Sequence, residues 1–184
     1  MSAPACENML FTVGSVLRGD DAAGPMLAKM LHENPVTGWT AIDGGQTPED
    51  DIALVRRAAP RRLVLVDAAQ MGLAPGAVRI VEAEDVARDF LITTHSLPIA
   101  FLLGELEKAC DTVVFLGIQP AGTGFFEPLS APVRAAIEDI YGRIARDEGF
   151  SDIRPVGACS CEDAAPRQDV PPEDGGPTER GVQS

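Results

Sequence analysis

Acidic residues recur in this sequence at the points where apolar stretches end. Asp21 follows the first apolar stretch and a glycine-containing loop, Asp43 ends the second stretch, and Asp67 ends the third. If these stretches are strands of a parallel sheet, their carboxyl ends meet at one edge, which is where open α/β sheets bind ligands. Because clustered carboxylates are costly unless a cation or a proton compensates them, this arrangement predicts a cation-binding edge.

The sequence contains two histidines that could add a nitrogen ligand to such a cation. His32 lies among polar residues near a predicted helix end, so we expect it to be exposed. His95 lies in a predicted loop ahead of a helix, where its ring can point toward the same edge, although a lone histidine is as often a structural residue. With Asp21 and Asp67 it gives two oxygen donors and one nitrogen donor with open positions, a set that suits a borderline transition metal.

These residues need a scaffold that brings strand ends together. Short apolar runs alternate with amphipathic stretches, a pattern typical of a three-layer α/β fold with a twisted, mostly parallel five-stranded sheet and helices on both faces. The predicted strands are Met9–Val13, Thr40–Asp43, Leu63–Asp67, Gly76–Val81 and Thr112–Ile118. The predicted helices are Gly24–Leu31, Pro48–Ala58, Pro98–Cys110 and Ala131–Arg146.

Three of these elements carry more specific expectations. Leu63–Asp67 is apolar until its last residue, which predicts a central strand. The shorter and more alternating Gly76–Val81 is expected at an edge of the sheet. Asp20 precedes the first helix by a few residues, so we expect it to cap that helix rather than to bind the cation.

The chain divides into a folded body and a tail of different composition. Residues 1–154 are long enough for one domain with a sizeable core. Residues 155–184 hold five prolines, four glycines and six acids, with valine as the only large aliphatic residue, so we expect an acidic, disordered Pro/Gly-rich tail. Its Cys159 and Cys161 are too closely spaced to indicate a zinc knuckle, and an incidental pair is the favoured interpretation.

The overall charge of −13 excludes several classes of function. A general nucleic-acid binder or a binder of anionic membranes would need a basic stripe. We find no signal peptide and no apolar run of transmembrane length, and four cysteines do not make a disulfide framework in a chain of this size. We therefore expect a cytoplasmic protein with neither nucleic-acid nor membrane partners.

Three other kinds of site fit the sequence less well. A phosphoacceptor receiver domain needs a lysine at the end of its fifth strand, where this chain has Gln119-Pro120. A phosphate-binding loop at Gly14–Gly24 would place phosphates against Asp20 and Asp21, and the spacing matches neither common glycine-rich motif. Serine hydrolase chemistry is disfavoured because no G-x-S-x-G elbow is present.

Five motifs, in order and over about Met9 to Arg146, resemble the hydrogenase maturation protease family, and most closely its branch serving formate-hydrogenlyase-type hydrogenases. The motifs are Gly14-x-x-x-x-Gly19-Asp20-Asp21-x-x-Gly24, Asp43-Gly44-Gly45, Val66-Asp67-Ala68, Thr94-His95 and Leu116-Gly117-Ile118-Gln119-Pro120. Each motif alone is weak, but five in register are specific. One departure is Ser15, where many members of the family have asparagine.

The resemblance implies a function and a set of site residues. It implies an endopeptidase that removes the C-terminal extension from the nickel-loaded large-subunit precursor of a nickel–iron hydrogenase. The nickel-contacting positions match Asp21, Asp67 and His95, and the acid on the second strand matches Asp43. Because the chain lacks HExxH and a second usable histidine, we expect the nickel to be supplied by the substrate. A monomer is expected, since the site edge must stay open to a large substrate.

The mechanism and one alternative function stay open on the sequence. Asp21 or Asp43 is the candidate general base for a water molecule, so these two are the predicted catalytic residues. Nickel either polarises the scissile carbonyl or only positions the peptide. The alternative function is a nickel-binding or nickel-delivery module that uses the same ligands without cleaving.

Overall fold

The computed structural model describes residues 7–82, 85 and 99–157. Its strands are β1 (Asn8–Thr12), β2 (Trp39–Asp43), β3 (Arg62–Ala68), β4 (Val78–Ile80) and β5 (Thr112–Ile118). They form one sheet in the order β2-β1-β3-β5-β4, in which β4 runs antiparallel to β5 and the other pairs are parallel. The predicted mostly parallel five-stranded sheet is confirmed, with β3 central and β4 at an edge.

The strand order sets where a ligand can bind. From β1 the chain steps to β2 on one side and then to β3 on the other. The crevice at which open α/β sheets bind ligands therefore lies at the carboxyl ends of β1 and β3. We call the edge formed by the carboxyl ends of the parallel strands the carboxyl rim.

Helices cover both faces of the sheet, because alternate side chains of each strand point to opposite faces. The described helices are α1 (Ala23–Glu33), α2 (Ile52–Ala58), α3 (Ile99–Glu107) and α4 (Ala131–Ala145). On one face, α1 and α4 pack over a cluster that includes Leu10, Val64 and Leu116. On the other face, α2 and α3 pack over a cluster that includes Phe11, Leu65 and Phe115. The predicted three layers are confirmed.

Helices α1 and α4 lie within two residues of their predicted bounds, whereas α2 and α3 differ more. Pro48–Asp51 forms a 3-10 turn rather than the first turn of an α-helix, consistent with the weak helix preference of Asp50 and Asp51 and the tighter winding common at helix starts. Helix α2 ends at Ala58, as predicted, because Ala59 has a left-handed φ of 43° and Pro60 follows it. Helix α3 ends at Glu107 rather than Cys110.

After α4 the chain returns to the edge of the sheet. Ile80 donates its backbone N–H to the carbonyl of Arg154 at 3.0 Å, and its own carbonyl accepts the N–H of Val156 at 2.9 Å. The predicted division between residues 154 and 155 stays a prediction, and Cys159 and Cys161 lie outside the described residues. Among the helices of the described ranges, none has the length and apolarity needed to cross a membrane.

Candidate functional site

Two of the predicted site residues flank the end of β1 at the carboxyl rim. In the register of the sheet, Thr12 pairs with Asp43 on one side and with Val66 on the other. Asp67 follows Val66 directly and pairs with Gly117 of β5. Since neighbouring strands lie about 4.8 Å apart, the backbones of Asp43 and Asp67 are separated by roughly 10 Å across β1.

Asp21 reaches the same rim through a tight turn. It lies in the 3-10 turn Gly19–Ala22, which contacts β3. The carbonyl of Asp21 accepts the N–H of Ser15 at 3.0 Å. Gly14 allows this approach, because it has a φ of +140° and a Cβ there would lie 2.0 Å from that carbonyl oxygen. Gly14, two residues after β1, therefore allows the tight turn that positions Asp21.

The carboxylates of Asp21 and Asp67 are both withdrawn from solvent. Asp21 is 1% exposed and Asp67 is fully buried. Removing a charged carboxylate from water costs several kcal/mol unless charge or hydrogen bonds compensate it. Two such groups at one switch point form a set of oxygen donors that a cation would stabilise, so the residues present fit a metal ion.

The nitrogen donor of the predicted set is not part of this geometry, because His95 lies outside the described residues. Within 7–82, 85 and 99–157, no group of three or more His, Cys, Asp or Glu side chains is placed to hold a metal ion. The set of Asp21, Asp67 and His95 stays a prediction. His32 is exposed at the end of α1, as expected.

Asp43 differs from the other two acids in being exposed. Its Oδ1 accepts the backbone N–H of Gly45 at 3.1 Å and the hydroxyl of Thr12 at 3.5 Å. The first bond is the local turn contact that an aspartate before two glycines is expected to make. The exposed carboxylate is also open to water at the rim, so the geometry is compatible with its predicted catalytic role.

Asp20 does not cap α1, and the expectation for it was wrong. Its carboxylate accepts the backbone N–H groups of Ala121 at 2.7 Å, Gly122 at 3.4 Å and Ser130 at 2.6 Å. All three lie between β5 and the start of α4. Asp20 therefore fastens the loop after β1 to the loop after β5. No local pattern around Asp20 indicates this role, since the partners lie more than 100 residues away.

Gln119 is a second residue whose role sequence reasoning missed. Its side-chain oxygen accepts the N–H groups of Met71 at 2.7 Å and Leu73 at 3.2 Å. Its side-chain nitrogen donates to the side chain of Gln70 at 2.8 Å and to the carbonyl of Pro120 at 3.0 Å. A buried amide satisfied at every position holds the loop that follows Asp67. The sequence analysis used Gln119 only to note that the fifth strand does not end in the lysine of a receiver domain.

A separate cleft lies at the opposite end of the strands. It has a volume of about 660 Å³, and its lining includes Asn8, Arg62 and Thr112, the first residues of β1, β3 and β5. Open α/β sheets bind their ligands at the other end. The carboxyl rim, and not this cleft, is the candidate site.

An open, mostly parallel α/β sheet with two buried carboxylates at its switch point places the chain among the three-layer α/β proteins that bind ligands at the carboxyl ends of their strands. The family model described as "HycI: Hydrogenase maturation protease" matches residues 25–147. The chain belongs to the hydrogenase maturation protease family, and it is a peptidase. Membership decides against the receiver domain and against a nickel-delivery module that does not cleave.

Relatives from bacteria and archaea share the sequence and the fold. The chain is 43% identical over 142 residues to the hydrogenase 3 maturation protease of Escherichia coli, covering 77% of this chain and 91% of that protein. It resembles a crystal structure of the hydrogenase 3 maturation protease with a TM-score of 0.77 and 41% identity, over 84% of this chain and 99% of that one. A NiFe hydrogenase maturation protease, HycI, from Thermococcus kodakarensis gives a TM-score of 0.66 at 26% identity, over 78% and 93%.

Proposed function

We propose that this protein is the endopeptidase that removes the C-terminal extension from the nickel-loaded large-subunit precursor of a nickel–iron hydrogenase. The observation that carries the proposal is the pair of buried carboxylates, Asp21 and Asp67, at the switch point of a sheet that belongs to this peptidase family. The names of the relatives, hydrogenase 3 maturation protease and NiFe hydrogenase maturation protease, support this choice of substrate.

Nickel takes part in this reaction as a component of the substrate. Asp21 and Asp67 would each supply one carboxylate oxygen, and His95 would supply a ring nitrogen. A ligand set of this size, without a second histidine, suits brief contact with an ion that the precursor already holds through its own ligands. The enzyme would thereby distinguish a precursor that carries nickel from one that does not.

Hydrolysis requires a base that activates water next to the scissile carbonyl. Asp43 is exposed at the rim, so water reaches its carboxylate directly. Asp21 is buried, and it would act on a water enclosed between the enzyme and the bound precursor. The substrate's nickel would either polarise the carbonyl or hold the peptide in place for attack.

We place this activity in the cytoplasm, in a monomer. The low cysteine count gives no disulfide framework of the kind that exported domains of small size use. A single copy leaves the carboxyl rim open to a folded precursor larger than the enzyme.

Substitutions of the proposed nickel contacts test the site. Asp21→Ala, Asp67→Ala and His95→Ala should each lower cleavage of nickel-loaded precursor by about 100-fold or more, since each removes a group that contacts the substrate. Far-ultraviolet circular dichroism should show that the fold is retained. Glu33→Ala, at an acid that is 62% exposed on α1, is the matched control and should cleave normally. Normal cleavage by all three site variants would overturn the assignment.

A further inference from the structure

Large apolar side chains are exposed together on two loops of the carboxyl rim. Six large hydrophobic residues are exposed in the described part of the chain, and four of them lie on the loops after β1 and β5. Val16 is 64% exposed, Leu17 50%, Phe125 62% and Phe126 83%. We call these four residues the apolar rim patch. A cluster of exposed apolar side chains, unlike singly scattered ones, generally marks an interaction site.

The two halves of the patch are fastened to each other. The N–H of Phe126 donates to the carbonyl of Leu17 at 2.8 Å, and the guanidinium of Arg18 lies 4.9 Å from the ring centre of Phe125. Phe126 also adopts a left-handed φ of 59°, a strained conformation for an aromatic residue. Beneath them Asp20 ties the same two loops together through the N–H of Ala121. The patch is therefore held in place before any partner arrives.

The patch adjoins the proposed catalytic rim. Leu17 and Arg18 precede Asp21 by only a few residues in the same loop, and that loop follows the end of β1. The loop that carries Phe125 and Phe126 leads into α4, so the patch flanks the rim on the side of α1 and α4. A polypeptide bound at Asp21 on this side of the sheet would therefore have the patch beside it.

Three occupants are conceivable, and two are disfavoured by their chemistry. The segment 158–184 of this chain carries six acids and no large aliphatic residue except valine, so it has little to bury against aromatic rings. A second copy brings another net charge of −13, and the two copies would repel each other. A substrate polypeptide need be neither poor in apolar residues nor strongly acidic. Peptidase activity also requires a substrate polypeptide at the rim.

We propose that the apolar rim patch is the docking surface for an apolar segment of the hydrogenase large-subunit precursor, next to the bond that is cleaved. This inference rests on the proposed function and names the residues that select the substrate. The phenyl ring of Phe126 is the central anchor, because it is the most exposed side chain of the patch and aromatic residues are enriched at interfaces.

Steady-state kinetics with nickel-loaded precursor tests the proposal. Phe126→Asn removes the ring with a residue that tolerates the left-handed backbone. It should raise the KM about 10-fold and leave kcat within about two-fold, because the ring binds the substrate without taking part in hydrolysis. Leu54→Ser, at a residue 43% exposed on α2 on the other face of the sheet, is the matched control and should keep the wild-type KM.

The outcomes separate this proposal from the proposed function. If the wild-type protein cleaves but Phe126→Asn keeps the wild-type KM, or Leu54→Ser raises it equally, the docking proposal is wrong and the function stands. If the wild-type protein does not cleave nickel-loaded precursor at all, the proposed function itself fails.

The occupant is identified by a photoreactive benzoylphenylalanine at position 126 of the full chain. Irradiation with precursor present should give a covalent adduct with the precursor. A crosslinked homodimer, or an intrachain link to residues 158–184 mapped by mass spectrometry, would overturn the assignment of this surface to the substrate.

Discussion

At the scale of single residues, two adjacent aspartates in one turn serve different ends. The carboxylate of Asp20 accepts three backbone N–H groups of the loop after β5. Asp21, equally buried, lies in the turn that contacts β3. Asp20 holds two loops of the carboxyl rim together, and Asp21 is the predicted site residue in one of them. Neighbours of identical chemistry thus take their roles from the direction in which the tight turn points each side chain.

Asp20→Ala tests the structural half of this division. The substitution removes the acceptor of three partly buried backbone N–H hydrogen bonds, so the free energy of unfolding should fall by about 2 kcal/mol in urea denaturation. Lys29 and Glu33 form an exposed ion pair at 3.7 Å, and Glu33→Ala should change stability by less than about 0.5 kcal/mol. An Asp20→Ala variant of wild-type stability that no longer cleaves would show instead that Asp20 acts on the substrate.

At the scale of elements, the site depends on how closely β1 and α1 approach each other. A Cβ on Gly24, in the first turn of α1, would lie 2.3 Å from the carbonyl oxygen of Val13. Gly14 imposes the same constraint on the turn that carries Asp21. These two glycines allow the loop after β1 to fold back tightly. The tight loop places Asp21 at the carboxyl rim, although Asp21 is not part of a strand.

Two glycine substitutions with opposite expected signs test this constraint. Gly14→Ala should lower the free energy of unfolding by about 2 kcal/mol or more and impair cleavage, since it strains the backbone and displaces Asp21. Gly104 lies inside α3, where a Cβ would meet no other atom within 4 Å. Gly104→Ala should therefore raise stability by about 0.5–1 kcal/mol and leave cleavage unchanged. Equal effects of the two substitutions on cleavage would contradict the role assigned to Gly14.

The elements and Asp67 could be predicted from the sequence because their signals are local. A continuous apolar run that ends in one acid identifies β3 as a central strand and places Asp67 near its carboxyl end. The roles of Asp20 and Gln119 could not be predicted, because they depend on contacts with loops far away in the sequence. The 3-10 turn at Pro48–Asp51 was missed because helices often start with such a turn and the sequence pattern does not distinguish it from α-helical winding.

At the scale of the whole molecule, the many acidic residues contribute to stability with opposite signs, depending on the charges around each carboxyl group. Burial raises the pKa of Asp51, and the negative charges of Asp50 and Asp43 raise it further. By contrast, the hydrogen bond from Arg143 lowers the pKa of Asp152. A carboxyl with a raised pKa favours the folded state at low pH, and this contribution is lost as pH rises through the raised pKa. A carboxyl with a lowered pKa contributes at high pH and loses this as pH falls.

Thermal unfolding at two pH values tests these signs. At about pH 7, Asp51→Asn should raise Tm because it removes a charge that the fold disfavours, whereas Asp152→Asn should lower Tm because it weakens the pairing with Arg143. Both differences should shrink near pH 3, where the wild-type carboxyls take up protons. Differences of the same sign for both variants at about pH 7 would contradict the assigned environments.

The most direct test of the central claim compares two forms of one precursor. Purified protein is incubated with the hydrogenase large-subunit precursor in nickel-loaded and nickel-free form, and cleavage is followed by the mobility and mass of the large subunit. We expect that the nickel-loaded precursor is shortened at its C-terminus, that the nickel-free precursor stays intact, and that Asp67→Ala cleaves neither. Equal cleavage of both forms by the wild-type protein would contradict the claim that these residues recognise nickel in the substrate.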